Sequence, residues 1–285
     1  MDGQALSLNV TAAGLSRANA ASNALITPET SRFLREILEK ALANPAGVAP
    51  RWAAEAWALL ANVLVNDVLH SWNHAGEVEL NGAEDAMQNA LAIDPRLPLA
   101  HHAKGLVYRA RGDHKAALKA FERAVDLDRT FARALAQKGN ELTLLGNPDG
   151  ALKEIDEAIK LSPYDPASGT FYWIKGRAHF VAAQNDDEPN KDRQYAEAIR
   201  SLEQSVERLP TVWYNWAYLI SAYLALPENN KAKAILNLFT SQSQFRELTL
   251  KEVKKYEKAN PDDNPLIIKA RQRVYEGLEV TGLPK

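Results

Sequence analysis

Ala117-Leu118-Lys119-Ala120-Phe121-Glu122-Arg123-Ala124 is echoed 34 residues later by Ala151-Leu152-Lys153-Glu154-Ile155-Asp156-Glu157-Ala158. It is anticipated 34 residues earlier by Ala83-Glu84-Asp85-Ala86-Met87-Gln88-Asn89-Ala90. Each octet sets a small residue, a bulky apolar residue and a second small residue at i, i+4 and i+7, one stripe of an α-helix. Gly105 and Gly139 keep the same spacing, and Pro95 returns as Pro163 two periods on. A period of this length is one helix pair, which cannot bury its apolar face alone and must stack on its neighbours. The repeat points to an all-α chain before any chemistry is considered.

Outward from these octets the pattern loosens. The helix before the first octet holds Trp57, Leu60, Ala61 and Leu64, and about ten extra residues around His70–Gly76 follow it, either as a longer helix or as a bulging loop. The two regular repeats turn at Arg111-Gly112-Asp113 and at Gly146-Asn147-Pro148-Asp149, where turn residues precede a helix start. Arg129 stands where a closing proline is expected, predicting a softer junction. A fourth repeat runs from Tyr172, Gly176 and His179 through a polar insertion at residues 184–192 to Ala198, Leu202, Ser205 and Pro210. A fifth carries Trp213, Trp216, Ala217 and Ile220, then Ala232, Leu236 and Phe239. Thr27-Pro28 opens a helix through Phe33, Leu34, Ile37, Leu38 and Leu42, with a looser Ala-rich helix expected before it. Helices near 248–259 and 265–280 are expected to shield the last apolar face, as the ends of a solenoid require.

Over residues 53–240 the columns resemble the tetratricopeptide repeat (TPR). The resemblance implies a right-handed helix-pair superhelix, an α-solenoid with degenerate capping helices at both ends. It divides the chain into a cap at 1–50, repeats at about 51–97, 98–131, 132–165, 166–210 and 211–242, and capping helices at 243–285. Ala54-Glu55-Ala56-Trp57-Ala58, Leu161-Ser162-Pro163-Tyr164-Asp165-Pro166 with Phe171-Tyr172-Trp173, and Tyr275-Glu276-Gly277-Leu278 to Thr281-Gly282-Leu283-Pro284 also resemble a narrower group. These are the C-terminal TPR regions of bacterial class III adenylate cyclase-type and winged-helix regulatory proteins. The sequence shows neither their nucleotide-binding strand pattern nor their metal-binding aspartate pair, so that resemblance implies a sensory or scaffolding module and no cyclase activity.

The TPR resemblance also implies where a partner would sit, because the first helix of each pair lines the groove. Its positions here are Asn62; His102, Leu106 and Arg109; Arg133, Asn140 and Thr143; Thr170, Trp173, Arg177 and Phe180; and Tyr214, Tyr218 and Ser221. Aromatic, arginine and amide side chains are common anchors of recognition surfaces. The candidate partner-binding residues are therefore Asn62, His102, Arg109, Arg133, Asn140, Trp173, Arg177, Tyr214 and Tyr218, with Trp173 and Tyr214 equally able to bury against adjacent helices. The carboxylate clamp by which some TPRs grip chaperone C-termini is incomplete, since Ala58, Ala103 and Gln137 stand at three of its polar positions.

Composition removes several other classes. The 285 residues carry a formal charge of −2 and no cysteine. There is no net field for nucleic acid or an anionic membrane, no thiol nucleophile and no thiolate zinc site. No apolar run is long enough for a transmembrane helix, and the start lacks the pattern of a secretory signal. His70 and His74 share a helical face but have no third ligand at diagnostic spacing, and Asp186-Asp187-Glu188 lacks the glycine and glutamate of a calcium loop. Lys251, Lys254, Lys255 and Lys258 give one late helix a basic face of ordinary solubilising type. No phosphate loop, nucleophile elbow or carboxylate pair stands out. The reading is a non-enzymatic scaffold without cofactor or metal. It would bind another protein or peptide but no nucleic acid and no membrane, in the cytoplasm, or in the periplasm if a leader had been removed. A ligand-sensing regulatory module and a self-assembling homo-oligomer stay open as alternatives.

Overall fold

Capping chemistry sets where the helices begin. The Thr27 hydroxyl accepts the Thr30 amide, the Thr27 amide donates to the Thr30 hydroxyl in return, and Pro28 fills the first turn. Asp113 and Asn147, 34 residues apart, each accept a backbone amide three residues on, at 2.9 Å. Just before them Gly112 and Gly146 adopt φ of +80° and +83°, the left-handed conformation that a helix C-terminus needs and a side chain resists. The softer junction expected at Arg129 is a closed turn instead. Asp128 Oδ1 accepts both the amide and the hydroxyl of Thr130, so an aspartate does the work of the missing proline.

The computed structural model describes residues 27–43, 50–70, 75–227, 229–242, 245, 248–256 and 263–284. Among them are thirteen α-helices and no strand. The chain divides into two compact units, Met1–Ala134 and Leu135–Lys285. The first holds α1 (Pro28–Leu42), α2 (Pro50–His70), α3 (Glu77–Ile93), α4 (Pro98–Ala110) and α5 (His114–Leu127), and α6 (Ala132–Leu144) begins at the boundary. The second continues with α7 (Pro148–Leu161), α8 (Ser168–Ala182), α9 (Lys191–Arg208), α10 (Trp213–Ala225), α11 (Asn229–Ser241), α12 (Leu250–Tyr256) and α13 (Pro265–Thr281). The extra residues after the first pair-forming helix lengthen α2 as far as His70; residues 71–74 lie outside the described residues, as does the Ala-rich helix expected before Thr27.

In each unit the helices form antiparallel pairs of the α-solenoid class. The periodic columns supply the core: Ala83, Ala117, Phe121, Ala151, Ile155, Ala198, Leu202, Ala232, Leu236 and Phe239 are all buried. The glycine column shows why the pairs approach so closely. A methyl group on Gly105 would stand 2.5 Å from the Phe121 ring, one on Gly139 2.7 Å from Ile155, and one on Gly176 2.6 Å from Leu202. Phe33 is 61% exposed, because Leu34 and Leu38 form the face of α1 that meets α2.

The largest departure is at the C-terminus. The helix expected near 265–280 as an end cap lies instead along α10 and α8. Ile267, Ala270, Val274 and Leu278 enter one core with Phe180, Tyr218 and Ile220, and a Cβ on Gly277 would stand 2.6 Å from Ser221 Oγ. The reason is written in α10. Its thirteen residues include no charged side chain, and a helix apolar all round must be covered on every face.

Candidate functional site

Two polar clusters occupy the faces that the sequence assigned to partner binding, one in each unit. In the first, α2 presents Asn62 and α4 presents His102. Asn62 Nδ2 donates to the Ala58 carbonyl, which turns Oδ1 toward His102 Nδ1 at 2.9 Å. An amide oxygen only accepts, so Nδ1 carries the imidazole proton and Nε2 is left as a buried acceptor without a partner among the described residues. The ring packs edge-on against Phe121 and tilted against Phe131 at centroid distances of 5.6 and 5.3 Å. Burial, aided by the nearby Arg133 and Arg109 guanidiniums, pushes the His102 pKa down to about 3. His70 at the end of α2 is pushed down to about 4, again chiefly by desolvation and then by Arg109. Arg109 lies over Phe121, 5.3 Å from the ring centroid. The fold therefore gathers Asn62, His102, Arg109 and Arg133 into one neighbourhood, with a neutral imidazole between two cations.

In the second unit α6, α8 and α10 bring together Asn140, Trp173, Arg177 and Tyr214. The Arg177 guanidinium lies 4.4 Å from the centre of the Trp173 ring and donates to Asn140 Oδ1. Trp173 leans on Tyr214 at 4.6 Å, and Trp213 meets Tyr214 at 5.7 Å. Arg177 is buried, so its charge is already engaged by an amide and an aromatic face. The Trp173 indole N–H is buried with no acceptor among the described residues. A donor left in that state carries a penalty of about 1–3 kcal/mol. Tyr218, one turn along α10 from Tyr214, is buried; it packs edge-on against Phe180 beneath α13. The candidates thus fall into two sets, Asn62–His102–Arg109–Arg133 and Asn140–Trp173–Arg177–Tyr214, with Tyr218 under a helix of the chain's own.

Sequence reasoning finds the helix near 265–280 but misses its place along α10 and α8. The signal for that placement lies in the uncharged run Trp213–Ala225, which needs cover on every face. The acidic insertion also does more than stay solvated, since Asp186 pairs with Lys269 of α13 at 2.5 Å, which holds its carboxyl below the usual range. Of the two histidines weighed as metal ligands, His74 lies outside the described residues, and no metal-holding group of acidic or histidine side chains occurs among those described.

Family models described as the tetratricopeptide repeat match residues 98–131 and 132–165. The chain therefore carries tetratricopeptide repeats within an all-α fold. No curated protein matches it. Solved structures that resemble it include the human IFIT1 dimer with m7Gppp-AAAA, at 15% identity and a TM-score of 0.62 over 90% of this chain and 56% of that one. The same protein with PPP-AAAA gives 14% identity and 0.63 over 91% and 57%. PilF of Pseudomonas aeruginosa gives 17% identity and 0.53 over 81% and 92%. This chain spans a little over half the length of the IFIT1 structures. At these identities the likeness is one of fold, and it lends no support to the narrower cyclase or winged-helix resemblance. No helix among the described residues is long and apolar enough to cross a membrane.

Proposed function

We propose that the protein is a non-enzymatic interaction module that holds a peptide or helical segment of another protein against α8 and α10, with Trp173, Arg177 and Tyr214 as the central contacts. The observation that carries this reading is the cluster of Trp173, Arg177 and Tyr214, with the guanidinium 4.4 Å from the Trp173 ring centre and the two rings 4.6 Å apart. TPR proteins as a class bind other proteins, and aromatic and arginine anchors in desolvated pockets dominate such interfaces. Asn140 orients Arg177, and the Trp173 and Tyr214 rings would accept apolar area of the partner.

The IFIT1 structures carry capped and triphosphorylated RNA, and stacked aromatics with arginine also suit single strands. The net charge of −2 and the engagement of Arg177 by Asn140 favour a protein partner. Affinity capture from the native host with the full chain and with Trp173→Ala tests the reading, alongside a labelled 5′-triphosphate oligonucleotide. The expected outcome is a protein partner recovered by the parent and lost by the variant at unchanged helicity, with no oligonucleotide retained. Partner recovery unaffected by Trp173→Ala, or retention of RNA alone, would overturn it.

A further inference from the structure

The C-terminal helix is seated where a partner helix would lie. α13 runs along α10 and α8, and Ser221, a groove position, receives Gly277 so closely that its hydroxyl approaches the Val274 carbonyl at 3.4 Å. The seat is amphipathic in pattern. Ile267, Ala270, Val274 and Leu278 face the wall at i, i+3, i+7 and i+11, and the outer face carries Lys269, Gln272, Arg273 and Glu276. The small residues Ala270 and Gly277 let the backbone come close, as Gly105, Gly139 and Gly176 do between repeat helices.

Besides the contact of Ser221 with Val274, polar bonds among the described residues moor α13 near its ends. Asn264 caps the helix through the Leu266 amide and reaches the Leu145 carbonyl beside Gly146. Lys269 pairs with Asp186 at side-chain exposures of 49% and 80%, where an ion pair holds little. Pro284 accepts the Leu250 amide at 2.7 Å. By contrast α8 and α10 bury most of their residues and form the wall, whereas α13 buries one stripe. Elements with few buried contacts open before those with many.

We infer that α13 is a tethered occupant of the interaction face, and that the partner which fits this face is an amphipathic helix with aliphatic residues at i, i+7 and i+11, a small residue at i+3 and another at i+10, exchanging with α13. The inference rests on the reading of α8 and α10 as the binding face and adds what binds there and what competes with it. A helix docked in a hydrophobic groove by anchors on one face is a recurrent recognition mode. A tethered competitor sits at a millimolar effective concentration, so it lowers the apparent affinity of every rival without abolishing it.

The absence of native cysteine makes the test direct. In full-length Ser221→Cys/Gly277→Cys the two Cβ atoms would lie 3.1 Å apart, so the helices need part by only about 0.5 Å to reach the roughly 3.5–4.5 Å that a disulfide spans. Oxidation locks α13 down, and reduction leaves two side chains crowding one space and loosens it. A fluorescent synthetic peptide of residues 263–285 is titrated by anisotropy against both forms. The peptide should bind the reduced form at least tenfold more tightly than the oxidised one. Equal binding by the two forms, or none by a reduced form that keeps its helicity, overturns the inference. Hydrogen exchange on the unmodified chain supplies a second readout, in which the amides of Leu266–Thr281 should exchange well before those of α8. Exchange of both segments only in one global event also overturns it. Peptide exchange with no host partner lost on Trp173→Ala would remove the proposed function and leave the exchange standing.

Discussion

The interior glycines give the clearest case at the scale of single residues, because two opposing effects compete at each. Replacing a helical glycine by alanine gains about 0.5–1 kcal/mol of backbone entropy. At Gly82 the new methyl would meet Leu64 at an ordinary 3.4 Å, so Gly82→Ala should raise stability by roughly that amount. At Gly105 the methyl would lie 2.5 Å from a fully buried phenylalanine, and the overpacking cost of about 1–3 kcal/mol wins. Chemical denaturation of the two variants should therefore move the midpoint in opposite directions. His102 gives a second test. Its imidazole is neutral in the fold, with a pKa near 3, while an unfolded histidine protonates near 6.5. The stability linked to it is full above pH 6.5 and is lost as the pH falls below that value, at up to ~1.4 kcal/mol per pH unit. His102→Gln should flatten the decline between about pH 6.5 and pH 4, measured as urea stability across that range; an unchanged slope would mean the imidazole titrates freely.

Among the elements, the repeat pairs were legible because their reasons are local. The small and bulky columns name the buried stripe, Thr27, Asp113 and Asn147 name the starts, and Gly112 and Gly146 name the stops. Asp113→Ala and Asn147→Ala should each lower stability by about 1 kcal/mol, and the thermal midpoint of each variant checks this. The placement of α13 was not legible in the same way. Nothing within residues 265–281 says whether the helix covers the end of a stack or lies along α10, since either would bury the same apolar stripe. That choice depends on the wall, whose uncharged α10 must be covered, and on contacts distant in sequence such as Asn264 with Leu145. The exposure of Phe33 has the same origin, because neighbouring apolar residues of α1 compete for one face and tertiary packing selects Leu34 and Leu38.

For the molecule as a whole, the nine candidate side chains were found by register, and the structure sorts them by what already engages them. Register places a residue on a face; it does not reveal that Arg177 is held by Asn140 and Trp173 or that Tyr218 lies under α13. With a net charge of −2 and a proposed interaction face built on aromatics, binding of a protein partner should change no more than roughly threefold between 50 and 200 mM salt. RNA held through several phosphates would lose orders of magnitude over the same range. The most direct measurement places the photo-crosslinking residue p-benzoylphenylalanine at Tyr214 in the full chain and identifies the captured molecule by mass spectrometry. The account predicts a helical segment of another protein, captured in competition with residues 263–285. A crosslink to RNA, or one confined to the chain's own C-terminal helix in the presence of the host's proteins, would contradict it.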